Sequence, residues 1–134
     1  MRQREFGRLG WSVSEVGYGM WGMEGWTGSD DAESMAALQR AAELGCDFFD
    51  TAWAYGDGHS ERLLGDLVRA QPGKRLYVAT KIPPKNQKWP SRPEDRLQDV
   101  FPPDHIRRFT EDSLKNLGLQ QIDLIQFHVW DDGW

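Results

Sequence analysis

The sequence is poor in cysteine, in long apolar runs and in surplus positive charge. Its single cysteine, Cys46, excludes an internal disulfide and favours a reducing compartment, which we expect to be the cytoplasm. No run approaches the roughly 18 apolar residues of a membrane-spanning helix. A net charge of -5 gives no basic surface for nucleic acid, and the polar residues 2–5 do not resemble a secretory signal. We therefore expect a protein that contacts neither membranes nor nucleic acid.

Histidine is also scarce, which bears on metal binding. The three histidines, His59, His105 and His128, lack a ligand spacing such as H-E-x-x-H, and there is no second cysteine beside Cys46. We therefore predict no metal site.

Strand and helix signals alternate along the chain, which is the pattern of βαβ units in a parallel sheet. The predicted elements, after an N-terminal hairpin over residues 4–13, are strands at 16–19, 47–50, 76–80 and 122–127 and helices that begin near Asp30, Ser60 and Asp104. Asp30 and Glu33 form a capping-box pattern. The strands recur at intervals of roughly 30 residues, except that a proline-rich loop over 82–103 delays the last one. These intervals predict one domain of repeated strand–helix units.

A glycine pattern after the first predicted strand needs separate consideration. Residues 17–22 (GYGMWG) match the G-x-G-x-x-G fingerprint of dinucleotide-binding folds. In that fingerprint the helix opens at the glycines, whereas here the first helix signal is at Asp30. We therefore interpret the match as a coincidence.

Four polar residues are associated with the ends of successive predicted strands. Asp50 closes the second strand, Tyr55 lies in the following loop, Lys81 closes the third strand and His128 closes the fourth. In a barrel of parallel strands these ends meet at one mouth, where catalytic groups are found. Each residue alone has an ordinary structural explanation, but their joint placement predicts one pocket.

The four side chains suit the reduction of a carbonyl group. A tyrosine phenol has an unperturbed pKa of about 10 and is a poor acid at neutral pH. A nearby ammonium such as Lys81 would lower that pKa, and Asp50 could hold the ammonium in place. A neutral imidazole at His128 could orient the carbonyl, while the hydride must come from a cofactor.

The chain is unusually rich in tryptophan, with seven in total. All but Trp11 follow a predicted strand end, namely Trp21, Trp26, Trp53, Trp89, Trp130 and Trp134. Tryptophans in loops around one mouth suggest walls for a flat ring or an apolar carbonyl compound. We predict that the substrate pocket is lined by Trp21, Trp53, Trp89 and Trp130.

Several segments together resemble the aldo-keto reductases. Residues 50–56 (DTAWAYG) and 58–65 (GHSERLLG) resemble a signature of that family, and residues 78–81 (VATK) and 122–128 (IDLIQFH) resemble its next blocks in the same order. The resemblance implies an α/β fold of the (β/α)8 barrel type and NADPH as cofactor.

The same resemblance assigns roles to individual residues. It makes Tyr55 the proton donor, has Lys81 lower the pKa of Tyr55, and has His128 orient a small-molecule carbonyl substrate. It gives Asp50 two roles, support of Lys81 and contact with the nicotinamide ribose. It places Met20 and Trp21 beside the nicotinamide.

The length of the chain limits what the resemblance implies. Such barrels need about 250 residues, whereas this chain of 134 residues supplies four strands and three helices. We therefore expect residues 1–134 to be the N-terminal portion of one barrel domain, with weak NADPH binding on its own. Two alternatives stay open: a non-catalytic regulatory or ligand-binding module that retains the reductase shell, and self-association of two half-barrels through their unpaired edges.

Overall fold

A small hairpin and a parallel sheet form the frame of the molecule. The computed structural model describes residues 1–23, 28 and 30–134. The hairpin pairs β1 with β2, and the second sheet pairs its parallel strands in chain order, β3-β4-β5-β6. The strands are β1 (Gln3–Phe6), β2 (Trp11–Ser14), β3 (Tyr18–Gly19), β4 (Phe48–Asp50), β5 (Tyr77–Ile82) and β6 (Leu124–Phe127). The helices are α1 (Asp31–Glu43), α2 (His59–Ala70), α3 (Leu97–Val100) and α4 (Pro103–Leu117).

The predicted strands are confirmed in number and order, but their bounds differ. The first was predicted over 16–19, whereas β3 contains only Tyr18–Gly19. Val16 is 57% exposed, and its carbonyl oxygen accepts a hydrogen bond from the Ser14 hydroxyl instead of joining the sheet. The third strand runs two residues further than predicted, to Ile82, because β6 continues to pair with it.

The helices also match the prediction, with two corrections. The loop over 82–103 contains an additional one-turn helix, α3, so the described part of the chain has four α-helices where three were predicted. Ser60 was predicted to cap the second helix, but α2 begins at His59 with Gly58 as its N-cap. The Ser60 hydroxyl is turned into the protein and bonded there, so it cannot cap. No helix of the described residues is long and apolar enough to cross a membrane.

The start of α1 agrees with its predicted cap. The Asp30 carboxylate accepts a hydrogen bond of 2.7 Å from the Glu33 amide, which satisfies one donor of the first turn. A single 3-10 turn, Trp21–Met23, follows the glycines at 17–22, and α1 begins only at Asp31, so these glycines do not open an α-helix. The helix therefore offers no dinucleotide-binding turn at that place.

The main core lies between the sheet and its helices. The apolar faces of α1 and α2 contribute to it, and the buried members from these helices are Leu38, Ala42, Leu63, Leu64 and Leu67. Phe49 and Val78 enter it from the sheet. A second cluster beneath the loop after β5 joins Ile82, Val100, Phe101 and Val129. This second cluster fixes the loop next to the ends of β5 and β6.

The hairpin packs against the opposite end of the sheet. Phe6 stacks on Phe48 with ring centroids 5.4 Å apart, and Trp11 meets Tyr77 at 5.2 Å. Trp11 is thus separated from the strand ends that carry the polar residues. This agrees with the sequence analysis, in which Trp11 is the one tryptophan that does not follow a predicted strand end.

The alternation of side chains along β5 assigns the two faces of the sheet. Lys81 and Ala79 face inward, whereas Thr80 and Ile82 face the helices. On the paired strand β6, Ile125 and Phe127 share the helix-facing side and are 39% and 36% exposed. β3 and β6 are the edges of this sheet, and self-association through them stays a prediction.

A close contact between α2 and α4 provides a test of this packing. A Cβ added at Gly65 would lie 2.1 Å from the Leu117 carbonyl oxygen. We expect Gly65→Ala to lower the free energy of unfolding by about 1–3 kcal/mol, because backbone must move and this outweighs the helix propensity of alanine. Gly73→Ala is the control, since its Cβ would meet nothing within 4 Å. Equal denaturant midpoints for the two variants would contradict the packing.

Candidate active site

Lys81 and Asp50 form an ion pair at the carboxyl ends of β4 and β5. Asp50 pairs with Ala79 across the sheet, which puts Lys81 two residues further along on the same face. The Lys81 Nζ donates to Asp50 Oδ1 at 2.6 Å and to the Thr51 carbonyl oxygen at 2.8 Å. The Lys81 side chain is 15% exposed and that of Asp50 is 39% exposed. The ammonium is therefore fixed by two acceptors, while the carboxylate keeps an open side.

Tyr55 lies above this ion pair, in the loop between β4 and α2. The Lys81 Nζ is 5.4 Å from the centroid of the Tyr55 ring. The backbone holds the loop, since the Tyr55 amide donates to the Ala52 carbonyl and the Tyr55 carbonyl accepts from the Ser60 amide. Gly58 has a φ of 82° and lies against the Asn116 side chain, so this turn requires glycine.

His128 completes the group from the end of β6. Its amide donates to the Ile82 carbonyl at 3.0 Å, which continues the pairing of β5 with β6. Its ring lies 5.5 Å from the Tyr55 ring and 4.5 Å from the Trp89 ring, both in edge-to-face geometry. The buried Nδ1 atom has no hydrogen-bond partner among the described residues. The four residues that the sequence associated with strand ends thus lie together.

The environment of His128 favours the neutral imidazole. Burial, and after it the positive charge of Lys81, lower the pKa of His128 from 6.5 to about 4, with Asp50 opposing part of the shift. A neutral ring has one N–H donor and one acceptor nitrogen, whereas the protonated ring has donors only. Above about pH 5 the site therefore presents an uncharged imidazole.

This shift predicts a pH dependence of stability. Between pH 6.5 and about 4 the unfolded chain binds a proton at His128 and the folded chain does not. The free energy of unfolding should therefore fall as pH decreases through this window and be flat above it. NMR titration of the His128 ring should give a midpoint near 4, and His128→Asn should remove this part of the pH dependence. A midpoint near 6.5 in the folded protein would contradict the described burial.

The tryptophans take different places around this site. Trp21, Trp89 and Trp130 are exposed, at 58%, 48% and 58%. Of these, Trp89 is in ring contact with His128, and the Trp130 ring lies 5.8 Å from Trp134. Trp26 lies outside the described residues. Trp89 thus adjoins the catalytic candidates, while lining of a substrate pocket by Trp21, Trp53, Trp89 and Trp130 stays a prediction.

Trp53 is directed to the outer side of the loops. Its ring packs edge-on against Phe109 at 4.6 Å. The two rings line a cavity of about 320 Å³ together with Trp89, Pro83 and Lys85. This cavity was not predicted from the sequence, because the prediction considered only residues at the ends of strands. Part of the cavity wall comes from Phe109 of α4.

Residues for a nicotinamide cofactor were predicted at the end of β3. Met20 is fully buried there, with its amide donating to the Asp50 carbonyl and its carbonyl accepting from Ser60. Gly19 has open space where a side chain would be, and the exposed Trp21 follows. The open side of Asp50 and the space beside Gly19 leave room at this strand end. Contact of Met20, Trp21 and Asp50 with a cofactor stays a prediction.

Among the described residues, no group of three or more histidine, cysteine, aspartate or glutamate side chains could hold a metal ion. The four candidates bring a phenol, an ammonium, a carboxylate and an imidazole to the site.

The fold and the site together define a class of protein. Four parallel strands with helices on their outer side carry reactive groups at their carboxyl ends, which is the arrangement of β/α-barrel enzymes. Comparison with known proteins identifies the family. A sequence model of the aldo/keto reductase family matches residues 15–134. The chain belongs to the aldo/keto reductase family.

Individual relatives agree with this assignment. An aldo-keto reductase of Schizosaccharomyces pombe, "yakc [NADP(+)]", is 35% identical over 120 residues, which are 87% of this chain and 34% of that protein. A 6-dehydroglucose reductase of Novosphingobium aromaticivorans is 32% identical over 133 residues, covering 93% of this chain and 40% of the relative. The chain thus spans about a third to two fifths of the length of these relatives.

A solved structure supports the fold in the same way. An aldo-keto reductase from Bacillus halodurans in its holo form superimposes with a TM-score of 0.73 at 27% identity, covering 95% of this chain and 40% of the other. The solved relatives are (β/α)8 barrels, and this chain forms four adjacent strands of that fold. The predicted fold class and family are confirmed.

Proposed function

We propose that the protein carrying this chain reduces aldehydes or ketones to alcohols with NADPH, with Tyr55 as the proton donor. The observation that carries the proposal is the Lys81–Asp50 ion pair, whose ammonium lies 5.4 Å from the Tyr55 ring. The His128 ring, 5.5 Å from the Tyr55 ring, completes the proposed site for one carbonyl oxygen.

The reaction needs one hydride and one proton. NADPH, when bound, supplies the hydride to the carbonyl carbon. The Tyr55 hydroxyl gives its proton to the carbonyl oxygen as negative charge develops there, which forms the alcohol, and the phenolate is reprotonated from solvent. The balance of atoms requires no metal and no further co-reactant.

Lys81 makes the phenol a better acid in this proposal. An ammonium close to the ring stabilises the phenolate, so we expect the pKa of Tyr55 to be lower than it is without Lys81. The hydrogen bonds from Lys81 to Asp50 and the Thr51 carbonyl hold the charge in place. Asp50 thereby acts on Lys81 while its open side is available to a ribose hydroxyl.

His128 has a different role, the orientation of the substrate. Its low pKa keeps the imidazole neutral, so it adds no second positive charge beside Lys81. A neutral N–H can donate to the carbonyl oxygen and direct it toward Tyr55. The Trp89 ring packs on His128 and supports this orientation.

We propose NADPH as the cofactor and residues 1–134 as the N-terminal portion of a single barrel domain. Two observations support this: the name of the Schizosaccharomyces pombe relative includes NADP(+), and the chain covers only about a third to two fifths of the relatives' length. Phosphate sites of β/α barrels commonly follow strands seven and eight. NADPH should therefore quench the tryptophan fluorescence of residues 1–134 only weakly. Quenching at low NADPH concentration would contradict the proposal that the phosphate-binding residues lie outside residues 1–134.

We place the reaction in the cytoplasm, where Cys46 stays reduced.

The proposed activity can be tested with the complete protein encoded by the reading frame of this chain. NADPH absorbance should fall when an aldehyde or ketone is added and stay constant without it. A panel of small aldehydes, ketones and aldoses would identify the preferred class. Turnover with none of them, despite NADPH binding, would favour the non-catalytic module instead.

A further inference from the structure

Two buried hydroxyl groups lie directly behind the candidate active site. Thr51 and Ser60 are both fully buried. The Thr51 Oγ1 donates to Ser60 Oγ at 2.8 Å, and the Ser60 Oγ donates to the Met20 carbonyl at 3.3 Å. The chain of hydrogen bonds thus joins the residue after β3, the residue after β4 and the first turn of α2.

The same two residues hold the catalytic candidates through their backbones. The Thr51 carbonyl accepts from the Lys81 Nζ at 2.8 Å, and the Thr51 amide donates to the Ala79 carbonyl at 2.9 Å. The Ser60 amide donates to the Tyr55 carbonyl at 3.2 Å. Lys81 and Tyr55 are therefore attached to two residues whose side chains bond to each other.

We propose that Thr51 and Ser60 are positioning residues that fix Lys81 relative to Tyr55. This inference rests on the proposed function, because it concerns the acid in that reaction. Neither hydroxyl reaches the mouth, so neither touches a substrate. Their action is to hold the Thr51 carbonyl, and with it the lysine ammonium, at one distance from the phenol.

Because Thr51 and Ser60 are both buried, water cannot replace the hydrogen bond between their hydroxyl groups. Ser60→Ala leaves the buried Thr51 hydroxyl without its acceptor, and Thr51→Val leaves the Ser60 hydroxyl bonded to the Met20 carbonyl alone. Either change breaks the link between the two residues. Removal of either hydroxyl should therefore move the Thr51 carbonyl or the start of α2. Either movement makes the distance between the Lys81 ammonium and the Tyr55 phenol less well defined, although the Asp50 carboxylate still binds the ammonium.

The test measures the Tyr55 phenol by NMR of ring-labelled tyrosine in the folded protein. The signal is assigned by its absence in Tyr55→Phe, and it is distinct from that of Tyr18, because burial raises the pKa of Tyr18. Lys81→Met measures how far the pKa of Tyr55 rises when the ammonium is removed completely. Thr51→Val and Ser60→Ala should raise the pKa of Tyr55 in the same direction, by about 0.5 unit.

Two control variants separate positioning from folding. Thr51→Ser retains the hydroxyl and should titrate as the wild type. Ser113→Ala removes another buried hydroxyl, one with no partner among the described residues, and should leave the pKa of Tyr55 unchanged. If Thr51→Val does not fold, Ser60→Ala supplies the same comparison. In the complete protein, kcat of Thr51→Val and of Ser60→Ala should fall by about threefold, with the KM for NADPH unchanged.

The outcomes distinguish the inference from the proposed function. An unchanged pKa of Tyr55 in Thr51→Val and Ser60→Ala, together with a lower free energy of unfolding, would show a purely structural pair and overturn the inference. An unchanged pKa in Lys81→Met would remove the coupling of lysine to tyrosine, and the proposed function would fail with it.

Discussion

Replacing Tyr55 with phenylalanine is expected to lower kcat for carbonyl reduction by about 10²- to 10⁴-fold in the complete protein, the usual contribution of a positioned general acid. The substitution removes only the hydroxyl, so the ring keeps its edge-to-face contact with His128. The dissociation constant of NADPH should stay near the wild-type value. Steady-state turnover and fluorescence titration measure the two quantities.

The matched control is the same substitution at the other end of the sheet. Tyr77 packs against Trp11 beneath the sheet, far from the strand ends that carry Lys81 and His128. Tyr77→Phe should retain kcat. Turnover of Tyr55→Phe within a few-fold of the wild type would mean that another group donates the proton.

Replacing Lys81 with methionine is the substitution with the second largest expected effect. We expect kcat to fall by about 10²-fold, since the loss of a neighbouring positive charge raises the pKa of a phenol by about 1–3 units. Because reduction requires the protonated phenol, activity declines as pH rises through the pKa of Tyr55. In Lys81→Met that decline should move to higher pH while the plateau rate is lower. A pH profile of kcat measures both changes.

The control for this variant is a lysine on the surface. Lys115 lies in the last turn of α4, with a side chain that is 75% exposed and paired with Asp112. Lys115→Met removes the same charge without affecting the site and should give the wild-type profile. An alkaline decline at the same pH in Lys81→Met and in the wild type would contradict the role of Lys81.

The elements and the site candidates could be predicted because local sequence signals determine them. The apolar faces of α1 and α2 follow helical spacing, and Gly118 ends α4 in the left-handed conformation that glycine favours. Parallel strands bring their carboxyl ends to one edge, so strand-end positions sufficed to associate Lys81 with Asp50.

Other features depend on contacts between distant segments and were not predictable. Ser60 precedes an apolar run and has the pattern of a cap, but its hydroxyl bonds to Thr51 and Met20. The signal was ambiguous, because a hydroxyl at a helix start can face the helix or the core. Trp53 follows a strand like the other tryptophans, yet its ring faces Phe109 of α4, and no local pattern indicates that choice.

Glu61 is another residue whose role only the structure reveals. It is fully buried, and its carboxylate accepts hydrogen bonds from Thr80 at 2.6 Å and Asn116 at 2.8 Å. It thereby ties α2 to β5 and α4. The position of Glu61 in the sequence, next to the apolar residues of α2, does not indicate these hydrogen-bond partners.

The central claim is that Tyr55 protonates a carbonyl group while NADPH reduces it, and transfer of a labelled hydride tests it most directly. The complete protein is mixed with NADPH deuterated at the transferred position and an aldehyde, and the alcohol is analysed by mass spectrometry. We predict deuterium on the carbinol carbon with the wild type and almost none with Tyr55→Phe at equal NADPH occupancy. Unlabelled alcohol, or no alcohol from a protein saturated with NADPH, would contradict the claim.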